Sequence, residues 1–438
     1  METIDKPDFK QLVLSQLEGE PPTDTLRQRA AEIFSGLTVP TTKHEEWKYT
    51  NLKNVLARPY TFAAATEVVP DRVAHFMEQY EEGTANVLVF VNGFFVSEHS
   101  HIASAESAVA ICSLQEAWAK FPETVEKHFG QYAGFTDHLF TAMNTALASE
   151  GTFVWIKPGQ VVEQPIIIHY IADAHAGNTI AQVRNLFVAG AGSQATIIEH
   201  YNSTTSEFAP LTNMVTEIFV APNARLDHYK IQNEEANASH IGMTQAHQER
   251  DSYYANTTIS LTGQVVRNNL HIDIAGSNCE AFMNGLMAIT GNTLVDNHTA
   301  VDHQMPHSQS NQLYKGLLDG KSSGVFNGKI FVRPDAQKTN AYQSSKNILL
   351  SESANMDAKP QLEIWADDVK CSHGHATGAL DEEPLFYLRA RGITLDNARA
   401  LLMFAFAADV LARVQYEPVR RYTERIIAQR LKMDVYDD

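Results

Sequence analysis

Between about residues 151 and 375 the chain keeps returning to one figure: a short run of β-branched and aromatic residues closing on a turn of small ones. The runs PIIIHYI, VRNLFVAG, ATIIEHY, VTEIFVAP and GKIFVRP are examples, and several end alike, in FVAGAGSQA, FVAPNA, IAGSNC and FVRPDA. The residues closing these figures, Ala195, Ala224, Cys279 and Ala336, lie 29, 55 and 57 positions apart. Ser252 and Ser308 divide the longer gaps, giving steps of 27 to 29 throughout. A repeat near 28 residues is one coil of a β-solenoid, whose units bury their apolar edges only against their neighbours. The evenly spaced strands of a sandwich or barrel are the alternative. A solenoid predicts that Ala195, Ala224, Cys279 and Ala336 occupy equivalent corners, with Cys279 a buried, apolar thiol.

Helical patterns lie on both sides of this body. Phe9, Leu12, Val13, Leu14 and Leu17 recur at helical spacing before the Pro21-Pro22 break, and a second helix runs from Thr25 to Ser35 and stops at Gly36. The stretch 85–150 is mixed, with a hairpin centred on Asn92-Gly93 and a helical run over QEAWAKFPETVEKHF. After Thr377 a helix with an acidic start and Pro384 near its first turn ends at Gly392. The next is capped by Thr394 or Asp396 and carries an apolar stripe through Leu401, Leu402, Phe404, Ala405 and Ala408. A last helix, Pro418 to Met433, holds Arg420, Arg421, Arg425 and Arg430. The expected organisation is a helical and mixed domain over 1–150, a β body over 151–377 and a helical domain over 378–438.

Charge and apolar run length exclude several function classes. With 34 Lys and Arg against 52 Asp and Glu, the net charge of −18 argues against nucleic-acid binding and suits a cationic partner surface or a metal. The longest apolar run near the C-terminus, Ala400 to Ala408, is nine residues, about half a membrane span. METIDKPDFK has neither the basic start nor the apolar stretch of an export signal. Cysteines at 112, 279 and 371 make no CxxC and no disulfide framework, so the expectation is a cytoplasmic protein without membrane association.

Four motifs offer chemistry. Gly320-Lys321-Ser322 resembles the end of a phosphate-binding loop, but the earlier glycine is displaced: position 315 is Lys315 and the glycine is Gly316. With β sequence following, a turn between strands is expected. The Asn-x-Ser/Thr sites at Asn202, Asn237, Asn256 and Asn297 read as chance polar turns. His298, His303 and His307, with Asp296 and Asp302, form either a metal site or a polar turn and solvated strand face. The densest stretch is WADDVKCSHGHATGALD. If it is extended there, Cys371, His373 and His375 share one face with Asp367 on the same parity, a donor set for a soft or borderline metal. A half-buried cysteine beside two surface histidines is the plain alternative. One strand rarely completes a four-ligand site, so a second surface must supply the rest.

The stretch from Gln343 to Ile393, QSSKNILLSESANMDAKPQLEIWADDVKCSHGHATGALDEEPLFYLRARGI, resembles the C-terminal signature of the SufB/SufD family of iron–sulfur cluster assembly proteins. HSQSNQLYKGLLDGKSSGVFNGKIFVRPDAQKTNAYQ and KHEEWKYTNL resemble the same family. Within it, ADDVKCSHG is the SufD-type form; SufB-type chains carry a Glu-His-Glu-rich stretch there and a cysteine shortly upstream, where this chain has Ala354-Asn355-Met356. The resemblance implies a right-handed parallel β-helix flanked by helical domains, pairing with a SufB-like paralogue and docking a SufC-like ATPase through the C-terminal helices. It implies a non-catalytic scaffold handling sulfur from a cysteine desulfurase, with a nascent iron–sulfur cluster or iron held transiently and shared with the partner. None is expected to be tightly bound in isolation, where a homodimer is an option. The family's Cys-x-His positions fall on Cys371 and His373; His375 departs from the usual small residue, as an added ligand or an inert substitution. The rival classes are a β-helical polysaccharide-acting enzyme and a self-contained metalloenzyme.

Overall fold

The computed structural model describes residues 8–22, 24–64, 85–148 and 150–430. The chain alternates between two facing ten-stranded sheets, winding a parallel β-solenoid. The first sheet holds the strands Thr179–Ala189, Leu211–Val220, Ser239–Gln248, Val265–Ile274, Leu294–His303, Ser323–Val332 and Asn355–Ile364 in sequence. The second holds Ile166–Ala172, Gln194–Ser203, Arg225–Asn233, Tyr253–Thr262, Glu280–Ile289, Gln309–Leu318, Asn340–Leu349 and Lys370–Gly378. Asn86–Val91 joins the second sheet parallel to Ile166–Ala172, and Val109–Ser113 joins the first antiparallel to Thr152–Ile156.

The corner that passes from first sheet to second repeats one device. A residue in the left-handed region, Gly192, Asn223, Asp251, Asn278, His307 or Lys338, turns the chain. The next residue is small and buried: Ser193, Ala224, Ser252, Cys279, Ser308 and Thr339. The amide after each donates to the previous corner's carbonyl at 2.8–3.1 Å. Of the four expected corner residues Ala224 and Cys279 are therefore right, and the intermediate Ser252 and Ser308 also fall at corners, whereas Ala195 and Ala336 are displaced. Ala195 lies inside its strand, opposite Leu226. Ala336 precedes its corner because Gln337, Lys338 and Thr339 lengthen that turn. Cys279 is 1% exposed, and its Sγ lies 3.1 Å from the Glu249 carbonyl.

Helices cover both outer faces. Phe9–Gly19, Thr25–Gly36 and Leu139–Leu147 pack on the first sheet around Ile180, Leu211, Ile241 and Val265. Leu395–Leu411 and Glu417–Arg430 cover Ile231, Ile259 and Leu286 of the second. The last helix is described to Arg430; Met433 lies outside the described residues. The expected Asn92-Gly93 hairpin is present, and the expected helical run breaks at Phe121 into Leu114–Lys120 and Pro122–His128. Lys321 and Ser322 sit in a turn between strands, as expected. Asn202, Asn256 and Asn297 are buried strand residues rather than turn residues, and Asn237 alone of the four lies in a turn.

Candidate functional site

At the far end of the solenoid, Asn355–Ile364 and Lys370–Gly378 have their parallel partners on one side only, Ser323–Val332 and Asn340–Leu349. Among the described residues no further coil covers them. Cys371, His373 and His375 stand in register on Ala341, Gln343 and Ser345. Those three are buried, at 0%, 3% and 1% exposure. One coil later Cys371 is half-buried and both histidines are exposed. Strand alternation thus brings the three to one face, turned toward the solenoid axis but uncovered.

Cys371 packs against the apolar cluster of Ile330, Val332, Ala336, Ala341 and Ala366. Burial raises its pKa, against a smaller opposing effect of a backbone hydrogen bond at Ala341. The thiol is protonated at neutral pH and must release a proton to bind a metal. His375 Nε2 lies 3.1 Å from Thr377 Oγ1. Asp367 sits in the turn before the strand, exposed, so strand parity does not carry it to this face. Among the described residues no three His, Cys, Asp or Glu side chains come together to hold a metal. Cys371, His373 and His375 thus share one uncovered face without closing a metal site there.

The other histidine group is split by strand alternation. His303 points inward against Ser310 Oγ at 2.8 Å, and burial brings its pKa down to about 4. His307 supplies a left-handed turn. His298 faces outward, 3.0 Å from Asp296 and 3.3 Å from Glu46, in an ion-pair group on the first sheet. Sequence reasoning found His298 but not Glu46, whose only sequence signal was its place in KHEEW.

The C-terminal helices form a second exposed feature. Glu382–Ala390 buries none of its residues, and Phe386 and Tyr387 are 74% and 55% exposed, with Leu401 at 41% nearby in sequence. The stripe expected on the next helix is rotated: Ala400, Met403, Ala407, Val410 and Leu411 face the solenoid, while Leu401 and Ala405 are exposed. Arg430 hydrogen-bonds the Ala288 carbonyl at 3.0 Å and Asn233 at 3.1 Å, and Arg421 pairs with Glu417 at 2.7 Å.

Comparison with known proteins places these features. Residues 170–406 match the SufBD core domain of the SUF iron–sulfur cluster assembly system, and residues 15–168 match the SufBD N-terminal region. An iron–sulfur cluster assembly SufBD family protein of Synechocystis is 32% identical over 395 residues, covering 89% of this chain and 86% of its own. The iron–sulfur cluster assembly protein SufD of Escherichia coli is 30% identical over 424 residues, 95% of each chain. A chloroplastic protein of Arabidopsis thaliana, ABCI7, is 27% identical over 408 residues, 91% of this chain and 84% of its own.

Proposed function

Because the chain belongs to the SufBD family of iron–sulfur cluster assembly proteins, we propose that it is a SufD-type, non-catalytic scaffold subunit that pairs with a SufB-like paralogue through its terminal coil. The observation that carries this reading is the uncovered coil itself. Two neighbouring edge strands present unpaired backbone N–H and C=O groups, a template for another β-coil. A paralogue with the same coil geometry would cover that edge and set its own ligands opposite Cys371 and His373. The cluster, or its iron, is cargo shared between the two subunits, its sulfur coming from a cysteine desulfurase. Without the paralogue, a second copy of this chain fits the same edge. Phe386, Tyr387 and Leu401 are the apolar centre of the surface for a SufC-like ATPase. No described helix is long and apolar enough to cross a membrane.

Co-expression of this chain with the paralogue and the ATPase tests the reading. His373→Ala should leave the complex intact while its cluster content falls. Unchanged cluster content, or loss of the complex itself, would reduce His373 to a structural residue.

A further inference from the structure

One short segment of the N-terminal region touches four successive coils. Residues 45–50 lie across the outer face of the first sheet. The Arg267 guanidinium stacks over the Trp47 ring at 4.3 Å and donates to the Glu46 carbonyl at 2.7 Å. One coil on, Thr50 donates to Asp296, which also pairs with Arg267 at 2.6 Å, and His298 stands 3.3 Å from Glu46. On the next coil Lys329 Nζ reaches Glu46 at 2.6 Å, and on the last Lys359 reaches Glu45.

A solenoid is held by nearest-neighbour contacts, so its last coil, with one neighbour, is the first to open. Most of Asn355–Ile364 is only half-buried, and Lys359 stands at its midpoint. Residues 45–50 supply what stacking cannot, a bond between that strand and coils two and three layers below.

We propose that residues 45–50 are a positioning brace that keeps the terminal coil closed and its edge strands in register for pairing. Arg267, Asp296 and Trp47 anchor the brace in the buried layers; Glu46 carries it to Lys329, and Glu45 to Lys359. Separately each exposed pair contributes little, but here they act in series on a coil that no further coil covers among the described residues. The role in pairing rests on the scaffold reading above. The ordering of the coil does not.

Hydrogen–deuterium exchange on the isolated chain tests the ordering, and affinity for the co-expressed paralogue tests the pairing. In Glu45→Gln/Glu46→Gln, amides of 355–364 and 370–378 should exchange about tenfold faster, with 211–248 unchanged. The exchanged pair Glu45→Lys/Lys359→Glu should restore slow exchange and affinity together, which a general loss of stability would not do. Equal exchange in variant and wild type, or acceleration spread evenly over all coils, overturns the brace. If the double variant fails to fold, Lys359→Met, at the exposed end of the series, gives the same local comparison. Faster exchange with unchanged paralogue affinity would overturn the pairing role. If the wild-type chain does not bind the paralogue at all, the scaffold reading fails and the exchange result still decides the ordering.

Discussion

Replacing Glu217 by Ala should destabilise the protein by about 3–5 kcal/mol, because it strands a charge where water cannot reach. Glu217 and Arg184 are both 0% exposed, 2.6 Å apart between the first sheet and the N-terminal helices. The same carboxylate accepts from the amides of Gly130, Tyr132 and Ala133 at 2.7, 2.8 and 3.0 Å. Arg184 also donates to Thr145 at 2.9 Å on the helix Leu139–Leu147. Removing the carboxylate leaves a guanidinium uncompensated and three amides without their acceptor, each worth about 1 kcal/mol. These losses overlap, so their sum is an upper bound. Against a total stability of about 5–15 kcal/mol the effect is large. Urea unfolding followed by tryptophan fluorescence measures it. Arg184→Met/Glu217→Met should recover the part of the loss that comes from the stranded charge, while the three amides remain without an acceptor. A loss under about 1 kcal/mol for Glu217→Ala, or a double variant no better than the single, would refute the burial argument.

Gly285 lies in register beneath Tyr314, and a Cβ there would sit 2.2 Å from the buried ring; Gly285→Ala should cost about 1–3 kcal/mol in thermal melts, and an unchanged melting temperature would contradict the stacking. Burial alone would raise the pKa of Asp296, but Arg267, His298 and Thr50 outweigh it and hold it down to about 2. Its folded pKa lies below its unfolded one, so its stabilisation, about 2 kcal/mol, is complete above roughly pH 4 and is lost as pH falls through 2. Asp296→Asn should flatten acid unfolding across that window, and an identical acid limb would sink the assignment. Phe386→Glu should weaken capture of the ATPase roughly tenfold or more with unchanged circular dichroism, and undiminished capture would put the contact elsewhere.

The coil period was legible because each coil needs a left-handed turn followed by a small buried residue, and both leave marks in sequence. Its phase was less legible, because FVAPNA and FVRPDA look alike in sequence while the left-handed residue falls inside the first, at Asn223, and beyond the second, at Lys338. Ala224 opens directly into its strand, whereas Ala336 is separated from its own by three residues. The shared face of Cys371, His373 and His375 followed from strand alternation alone, and Asp367 escaped it because alternation ends where the strand does. The brace was not legible. Glu45 and Lys359 are 314 residues apart, and only folding brings that separation onto one sheet face. The buried face of Leu395–Leu411 was not legible, because its apolar residues extend beyond one stripe and composition could not say which of them the solenoid would claim.

The solenoid interior is more polar than its period requires, and register explains why. A coil that slips by two residues keeps every side chain on its proper face, so hydrophobic alternation does not forbid the slip. Nor does spacing, since successive corners, Ser193 to Thr339, lie 27 to 31 residues apart. Paired polar groups do forbid it. Glu199 meets His228 at 3.1 Å, and Lys230 meets His240 at 3.1 Å. Gln232 and Asn268 bond between the sheets, as do Thr299 and Gln312, while Asn268 to Asn297 and Gln343 to Gln312 bond along the stack. Any slip would orphan several buried groups at about 1–3 kcal/mol each. The lock therefore acts in both directions, sheet against sheet and coil against coil. It reaches the terminal strand, where Asn347 donates to Thr377 at 3.4 Å, and includes Gln343, the residue on which His373 stands. Polar groups that cost desolvation inside a β-coil core thus fix the height and facing of the strands that lead up to the terminal coil.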